Sequence, residues 1–204
     1  MQLCGHTDAS YLSVSKSRSR AAAYFYLSTY NGALLPPNHE SKPPARPNGA
    51  VHVMSKVMRQ VLLSATEAEV GATFYVCQDA APLSNTSTDL GHVQGKTLII
   101  TDNECCEGIL NNTFKQRRSN VMDMRFYWVK CRIAQGKFEL LWRSGRENLA
   151  DYFTKLHAQV HHKTTQPLYV INSLTSRGCN KGVFIGTNIP YVPSVLTTSN
   201  RTRL

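Results

Sequence analysis

The sequence predicts an α/β domain built on a mixed sheet, antiparallel first and joined by crossovers second. Two observations carry this. Three β-rich runs lie close together in the first 56 residues, where an antiparallel meander is the simplest connection. Further on, helical segments alternate with short apolar runs, which is the pattern of crossover units feeding a common sheet. With 204 residues the chain is long enough for one domain with a substantial core.

The elements follow in order. Residues 2–10 read as a first strand, and SKSRSR (15–20) as a basic turn. AAAYFYLST (21–29) is apolar and aromatic and reads as a second strand. NGALLPPNHESKPPARPNG (31–49) contains five prolines and is a loop. VHVMSK (51–56) is the third strand, and residues 64–81 are a helix. After a turn-rich stretch over 82–96, TLIITD (97–102) has the composition of a buried central strand. NECCEGILNN (103–112) is a short helix, residues 121–135 are a longer amphipathic one stopping at Gly136, and FELLWRS (138–144) is a strand. ENLADYFTKLHA (147–158) is the last predicted helix. The periodicity fades after about residue 160, so residues 1–160 are expected to form the domain and 161–204 a loosely packed tail.

Composition narrows the function classes. The formal net charge is +10, from 23 basic and 13 acidic residues, which favours a polyanionic partner such as nucleic acid or an anionic surface. The six cysteines form no CxxC pair, so reduced thiols in an intracellular protein are expected rather than a disulfide framework or a zinc knuckle. No apolar run approaches 18 residues, and neither a phosphate loop nor a dinucleotide fingerprint is present.

The stretch LLSATEAEVGA holds two carboxylates, Glu67 and Glu69. At about 100° per helical residue, Ala65, Ala72, Thr73, Val76 and Ala80 share the face of Glu69, while Glu67 points away. The small residues mark the side that packs on a sheet, so Glu69 faces inward. A buried carboxylate needs a hydrogen-bond donor, a cation or a metal. Three further acids could join it. Asp8 and Asp102 each follow an apolar run in a Thr-Asp pair, at the strand edge where α/β sheets place their sites. Asp151 lies one turn into the last predicted helix. Singly, each has an ordinary use as a turn or cap residue. Four together repel one another unless divalent cations intervene. In a basic chain, that chemistry fits metal-assisted phosphodiester hydrolysis.

GHTDASY (5–11), SRSRAAAYFYLS (17–28), NGAVHVMSKVMRQVLLSATEAEVGA (48–72), LIITDNECC (98–106), MDMRFYWVKCRIAQGKFELLW (122–142) and ENLADYFTK (147–155) together resemble the RNase H domain of Ty1/copia-type retrotransposon Pol polyproteins. The resemblance covers about residues 3–158, with the SATEAE run and LADYFTK as its most specific parts. It implies an RNase H-like fold with a five-stranded sheet, three antiparallel strands followed by two parallel to the first. It also implies four catalytic, metal-binding acids: Asp8, Glu69, Asp102 and Asp151. Two Mg²⁺ ions, or Mn²⁺ in their place, would serve hydrolysis of the RNA strand of an RNA–DNA hybrid. Asp8 would bridge the ions, Glu69 and Asp102 would hold the leaving-group side, and Asp151 the water side. The reverse transcriptase domain that precedes such modules in their polyproteins is the implied protein partner.

The chain departs from that pattern in places. The loop RSGRENLA (143–150) lacks the histidine that many cellular RNases H carry there, and only KQRRS (115–119) stands near the place of a basic protrusion. Ser55, Lys56, Lys115, Arg117, Arg118, Arg143 and Arg146 are the candidate contacts to sugar and phosphate, with Ser64 a further one. Trp128 and Trp142 are expected in the core. The rival functional reading is an inactive or domesticated retroelement remnant that binds nucleic acid at most. A plain α/β protein of other function would leave the four acids apart.

Overall fold

A computed structural model describes residues 1–28, 49–114 and 123–169. The predicted loop 31–49 lies outside these apart from Gly49, as does the tail beyond residue 169. The elements are β1 (Gln2–Val14), β2 (Arg18–Ser28), β3 (Ala50–Val57), α1 (Ala65–Asp89), β4 (Thr97–Thr101), α2 (Glu104–Leu110), α3 (Asp123–Ala134), β5 (Phe138–Trp142) and α4 (Gln159–Tyr169). The five strands form one sheet in the order β3-β2-β1-β4-β5. β1 pairs antiparallel with β2, and β2 with β3, while β4 runs parallel to both β1 and β5. The expected mixed sheet, with its antiparallel part first, is the one observed.

Period-two alternation divides the sheet into two faces. Leu3, Ala21, Ala23, Phe25, Met54, Ile99 and Leu140 pack on one side with Ala72 and Val76 of α1 and with Phe126 and Val129 of α3. Cys4, Tyr24, Tyr26, Leu98, Ile100 and Leu141 pack on the other, against Leu149, Phe153 and Tyr169. All five residues of β4 are buried, because both of its faces are covered. The alanines at 21 and 23 leave room for α1 to approach the sheet closely. Gly5 makes room for the Phe25 ring on the neighbouring strand, since a Cβ there would stand 2.9 Å from it.

α1 begins with a reciprocal cap. The Glu67 amide donates to Ser64 Oγ (3.1 Å), and the Glu67 carboxylate accepts from the Leu63 amide (2.8 Å). Ser64 is therefore occupied as a helix cap rather than available to a phosphate.

Two expectations are corrected. α1 does not stop at residue 81 but continues through Pro82 to Asp89. Proline removes only the N–H that would reach the Gln78 carbonyl, and both Gln78 and Pro82 lie on the exposed side, where water replaces that bond. The predicted helix over 147–158 is also absent. Single 3-10 turns occupy Gly145–Glu147 and Asp151–Phe153, and the regular helix starts at Gln159. The cause is tertiary: the Leu149 amide is bonded to His6, and the Ala150 amide to the Asn148 side chain, with Asn148 extended (φ −78°, ψ 102°). α4 crosses the boundary expected at residue 160. Its Tyr169 stacks on Tyr152 and meets Tyr24 and Phe153 edge-on.

Candidate active site

The site forms where β1 outruns its neighbour. Pairing of β1 with β4 ends at His6 and Ile100, yet β1 continues to Val14 against β2. Beyond that point the β4-side edge of β1 is open, and side chains fill it. Glu69 reaches in from α1, and its Oε1 accepts the Ala9 amide (3.3 Å). Asn148, from the loop after β5, donates from Nδ2 to the Thr7 carbonyl (2.9 Å). Asp8 lies between them on β1, and Asp102 follows the last residue of β4.

Asp8, Glu69 and Asp102 each offer a carboxylate oxygen, and these atoms lie within 4.8 Å of one another. Asp8 and Glu69 are buried (3% and 7% exposed), and Asp102 is half-buried. Two strands and one helix from separate parts of the chain thus deliver three acids to one point. The Asp102 backbone is fixed from two sides: Trp142 Nε1 donates to its carbonyl (3.0 Å), and the Arg143 amide donates to the Thr101 carbonyl (2.9 Å). Trp142 is exposed (39%) rather than part of the core, because its indole lies over this strand end. Trp128 is partly buried and packs on the core as expected.

The electrostatics follow from this crowding. Burial, with repulsion from Asp8 and Asp102, pushes the Glu69 carboxyl from 4.5 up to about 9. Burial also raises Asp8 from 3.8 to about 6, against the hydrogen bond that Thr154 Oγ1 donates to its Oδ2. Asp102 and Asp151 push Asp8 further up, and Lys155 pulls it down. Glu69 Oε2 is buried without a hydrogen-bond partner. An unpartnered carboxylate oxygen facing two other carboxylates is the donor set that a hard divalent cation takes. The residues present therefore fit Mg²⁺ or Mn²⁺.

Asp151 sits beside the trio rather than within it. Its carboxylate is held by the Lys155 ammonium, four residues on. Its charge still acts on Asp8, and its carbonyl accepts from Thr154 Oγ1 (3.0 Å). Thr154, Lys155 and Asn148 were not singled out from the sequence. Their signal was present in ENLADYFTK, where Thr154 and Lys155 stand three and four residues after Asp151.

The basic candidates scatter. Ser55 is level with Asp8 through the register Asp8–Ala22–Ser55, but its hydroxyl donates to the Phe153 carbonyl (2.9 Å) and accepts from Arg20 (3.2 Å). Lys56 falls on the α1 face of the sheet, its ammonium 4.7 Å from the centre of the Tyr75 ring. Arg143 and Arg146 lie in the segment between β5 and Asp151, with Arg146 exposed and Arg143 half-buried. Lys115, Arg117 and Arg118 lie outside the described residues.

Comparison with solved structures identifies the architecture. LC11-RNase H1, isolated from compost, superposes with a TM-score of 0.52 at 11% identity, covering 74% of this chain and 91% of that one. This is an RNase H-like fold. LC11-RNase H1 in complex with an RNA/DNA hybrid gives 0.51 at 10% identity, covering 74% and 93%. The N-terminal RNase H domain of Rv2228c from Mycobacterium tuberculosis gives 0.50 at 10%, covering 75% and 90%. In sequence, the chain is 25% identical over 154 residues to the Retrovirus-related Pol polyprotein from transposon TNT 1-94 of Nicotiana tabacum. That match covers 76% of this chain and 10% of the polyprotein, so the chain spans about a tenth of its relative's length. No family model matches. Among the described residues, no helix of the RNase H-like unit is long and apolar enough to cross a membrane, and Cys4, Cys77, Cys105, Cys106 and Cys131 are free thiols.

Proposed function

We propose that this chain is a metal-dependent nuclease of the RNase H type, cutting the RNA strand of RNA–DNA hybrids, and that it descends from a Ty1/copia-type Pol polyprotein. The observation that carries the reading is the convergence of Asp8, Glu69 and Asp102 at the open edge of β1, with one oxygen of Glu69 left without a partner. In this reading Asp8, Glu69 and Asp102 hold divalent cations, and Asp151 completes the set from the solvent side. Mg²⁺, or Mn²⁺, when bound would supply the Lewis acidity that activates water and stabilises charge on the scissile phosphate. The chain's own residues do the rest. Thr154 fixes the Asp8 carboxylate by a hydrogen bond, and the Ala9 amide fixes that of Glu69. Lys155 holds the Asp151 carboxylate in place by an ion pair, on the side from which water would approach. Arg143 and Arg146, in the segment between β5 and Asp151, would contact the phosphate backbone, and hybrid recognition would rest on backbone shape and 2′-hydroxyls. Residues 1–160 would be the catalytic domain, supported in substrate binding by an upstream reverse transcriptase domain.

The test is cleavage of a labelled RNA–DNA hybrid by the purified chain with Mg²⁺, with Mn²⁺ and with chelator, beside Asp102→Asn. Metal-dependent cutting of the RNA strand, lost in the variant, is the expected result. Folded protein that neither cuts the hybrid nor binds Mn²⁺ would refute the reading. The rival is a non-catalytic remnant, favoured by one observation: Asp151 is paired with Lys155 and stands outside the trio. It predicts hybrid binding that is indifferent to metal.

A further inference from the structure

The loop RSGRENLA carries no histidine, but a histidine from elsewhere grips it. His6 is two residues before Asp8 on β1, so strand alternation puts both side chains on the same face of the sheet. Its imidazole is buried, 6% exposed. Nδ1 accepts the Leu149 amide (2.9 Å), and Nε2 lies 3.2 Å from the Tyr26 hydroxyl. The first contact fixes the tautomer: Nδ1 must be bare to accept an N–H, so Nε2 carries the proton and donates it to Tyr26. The Leu149 peptide is held from its other side too, since Tyr169 Oη donates to its carbonyl (2.9 Å). On either flank of Leu149, Asn148 ties the loop to Thr7 and accepts the Ala150 amide (3.0 Å). Asp151 comes next. The His6 bond lies at the last β1 residue that β4 pairs and the Asn148 bond at the first it leaves unpaired, so together they carry on from sheet pairing in joining the last acid to the strand of the first.

We propose that His6 is a positioning residue, whose Nδ1 sets the loop that carries Asp151 against the strand that carries Asp8. The functional half of this statement rests on the nuclease reading; the clamp itself does not. A merely space-filling His6 would be matched by any polar residue of similar size. A clamp requires an acceptor at the position of Nδ1. Asparagine places Oδ1 close to that position, whereas glutamine reaches toward Nε2 and leaves the Leu149 amide without an acceptor.

The test compares the full chain with its His6→Asn and His6→Gln variants by three measurements: amide hydrogen exchange over 147–151, kcat and KM on an RNA–DNA hybrid, and Mn²⁺ binding by calorimetry. His6→Gln is expected to speed exchange at Leu149 by about tenfold or more. It should lower kcat by about 10-fold to 100-fold, as loss of an orienting partner does. KM should stay within about twofold, because uniform substrate binding is untouched. His6→Asn should restore both exchange and kcat. Mn²⁺ binding by Asp8, Glu69 and Asp102 should survive in both variants. Unchanged exchange in folded His6→Gln would overturn the proposal, as would a loss of kcat without faster exchange, or His6→Asn as impaired as His6→Gln. Should His6→Gln not fold, Tyr26→Phe removes the acceptor for Nε2–H and is expected to speed exchange at Leu149; unchanged exchange there overturns the clamp. If the wild-type chain cuts no hybrid, the nuclease reading fails alone, and the exchange measurements still decide the clamp.

Discussion

Replacing Glu69 by glutamine should make the metal-free protein more stable. Glu69 is 7% exposed, its carboxyl is pushed from 4.5 up to about 9, and one of its oxygens has no partner. The sign follows from proton counting. Between those two values the folded chain holds a proton that the unfolded chain has released, so stability falls as pH rises through that window. Each pH unit costs about 1.4 kcal/mol, giving about 3 kcal/mol by pH 7, a large fraction of a typical domain's stability. Glutamine keeps an oxygen for the Ala9 amide and turns an NH₂ toward Asp8 and Asp102, removing the penalty. In urea unfolding with chelator, wild-type stability should fall from about pH 5 to about pH 8. Glu69→Gln should be nearly flat above about pH 6, where Asp8 too has lost its proton. Saturating Mg²⁺ or Mn²⁺ should reverse the order, stabilising the wild type more at the higher pH and the variant little. A wild-type profile flat from pH 5 to pH 8 in chelator, or a variant no more stable than the wild type at pH 8, would refute the assignment of Glu69 as a buried, frustrated acid.

Other substitutions probe the surroundings. Gly145→Ala would place a Cβ 2.9 Å from Asp102 Oδ2; we expect Mn²⁺ affinity to fall by about tenfold on the scale of lost orienting contacts, read by calorimetry, with the unfolding midpoint little changed because Gly145 is exposed. Gly5→Ala would press on the Phe25 ring inside the core, and should cost about 1–3 kcal/mol in urea unfolding, the usual range for overpacking. Ser64→Ala removes the cap of α1 and should cost about 1 kcal/mol, while hybrid cleavage per folded molecule stays as in the wild type.

The sheet was legible because its strands carry alternation and turn signals that act over a few residues. AAAYFYLST and TLIITD announce themselves as strands, although β2 starts earlier, at Arg18, inside the stretch read as a turn, and the crossovers between β3, β4 and β5 follow from the spacing. Glu69 was legible for a similar reason, since a helix has a fixed angle per residue and Ala72, Thr73, Val76 and Ala80 show which side packs. The last predicted helix was not legible. ENLADYFTKLHA has helical propensity, but the amides of Leu149 and Ala150 are taken by His6, more than 140 residues earlier, and by Asn148. Pro82 misled in the opposite sense: a breaker by propensity, it is tolerated where its face meets water. Lys56 was grouped with the phosphate contacts on charge alone, although β3 alternation sends it to the face opposite Ser55. His6 went unremarked within GHTDAS, although the same alternation that aims Asp8 aims it too.

The two charges at the heart of the site pull stability in opposite directions, and that gives the sharpest check on how it is built. The fold brings Asp8, Glu69 and Asp102 together against their repulsion, and the charge of Lys155 offsets part of it at both Asp8 and Glu69. Its ammonium is bonded to Asp151 and lowers the cost of ionising both Asp8 and Glu69. Lys155→Met should therefore lower the urea midpoint in chelator at neutral pH, where Glu69→Gln raises it. Above about pH 9, where folded Glu69 gives up its proton, the two effects should also be coupled. With Glu69 neutralised, one of the acids that Lys155 offsets is gone, so Lys155→Met should cost less in the Glu69→Gln background than in the wild type. Equal costs in the two backgrounds would mean that Lys155 serves Asp151 alone. A favourable Lys155→Met would mean that the acids are already offset by protonation. Saturating Mn²⁺ should erase most of the Lys155→Met penalty, because a divalent ion at the trio supplies the positive charge that the lysine otherwise provides.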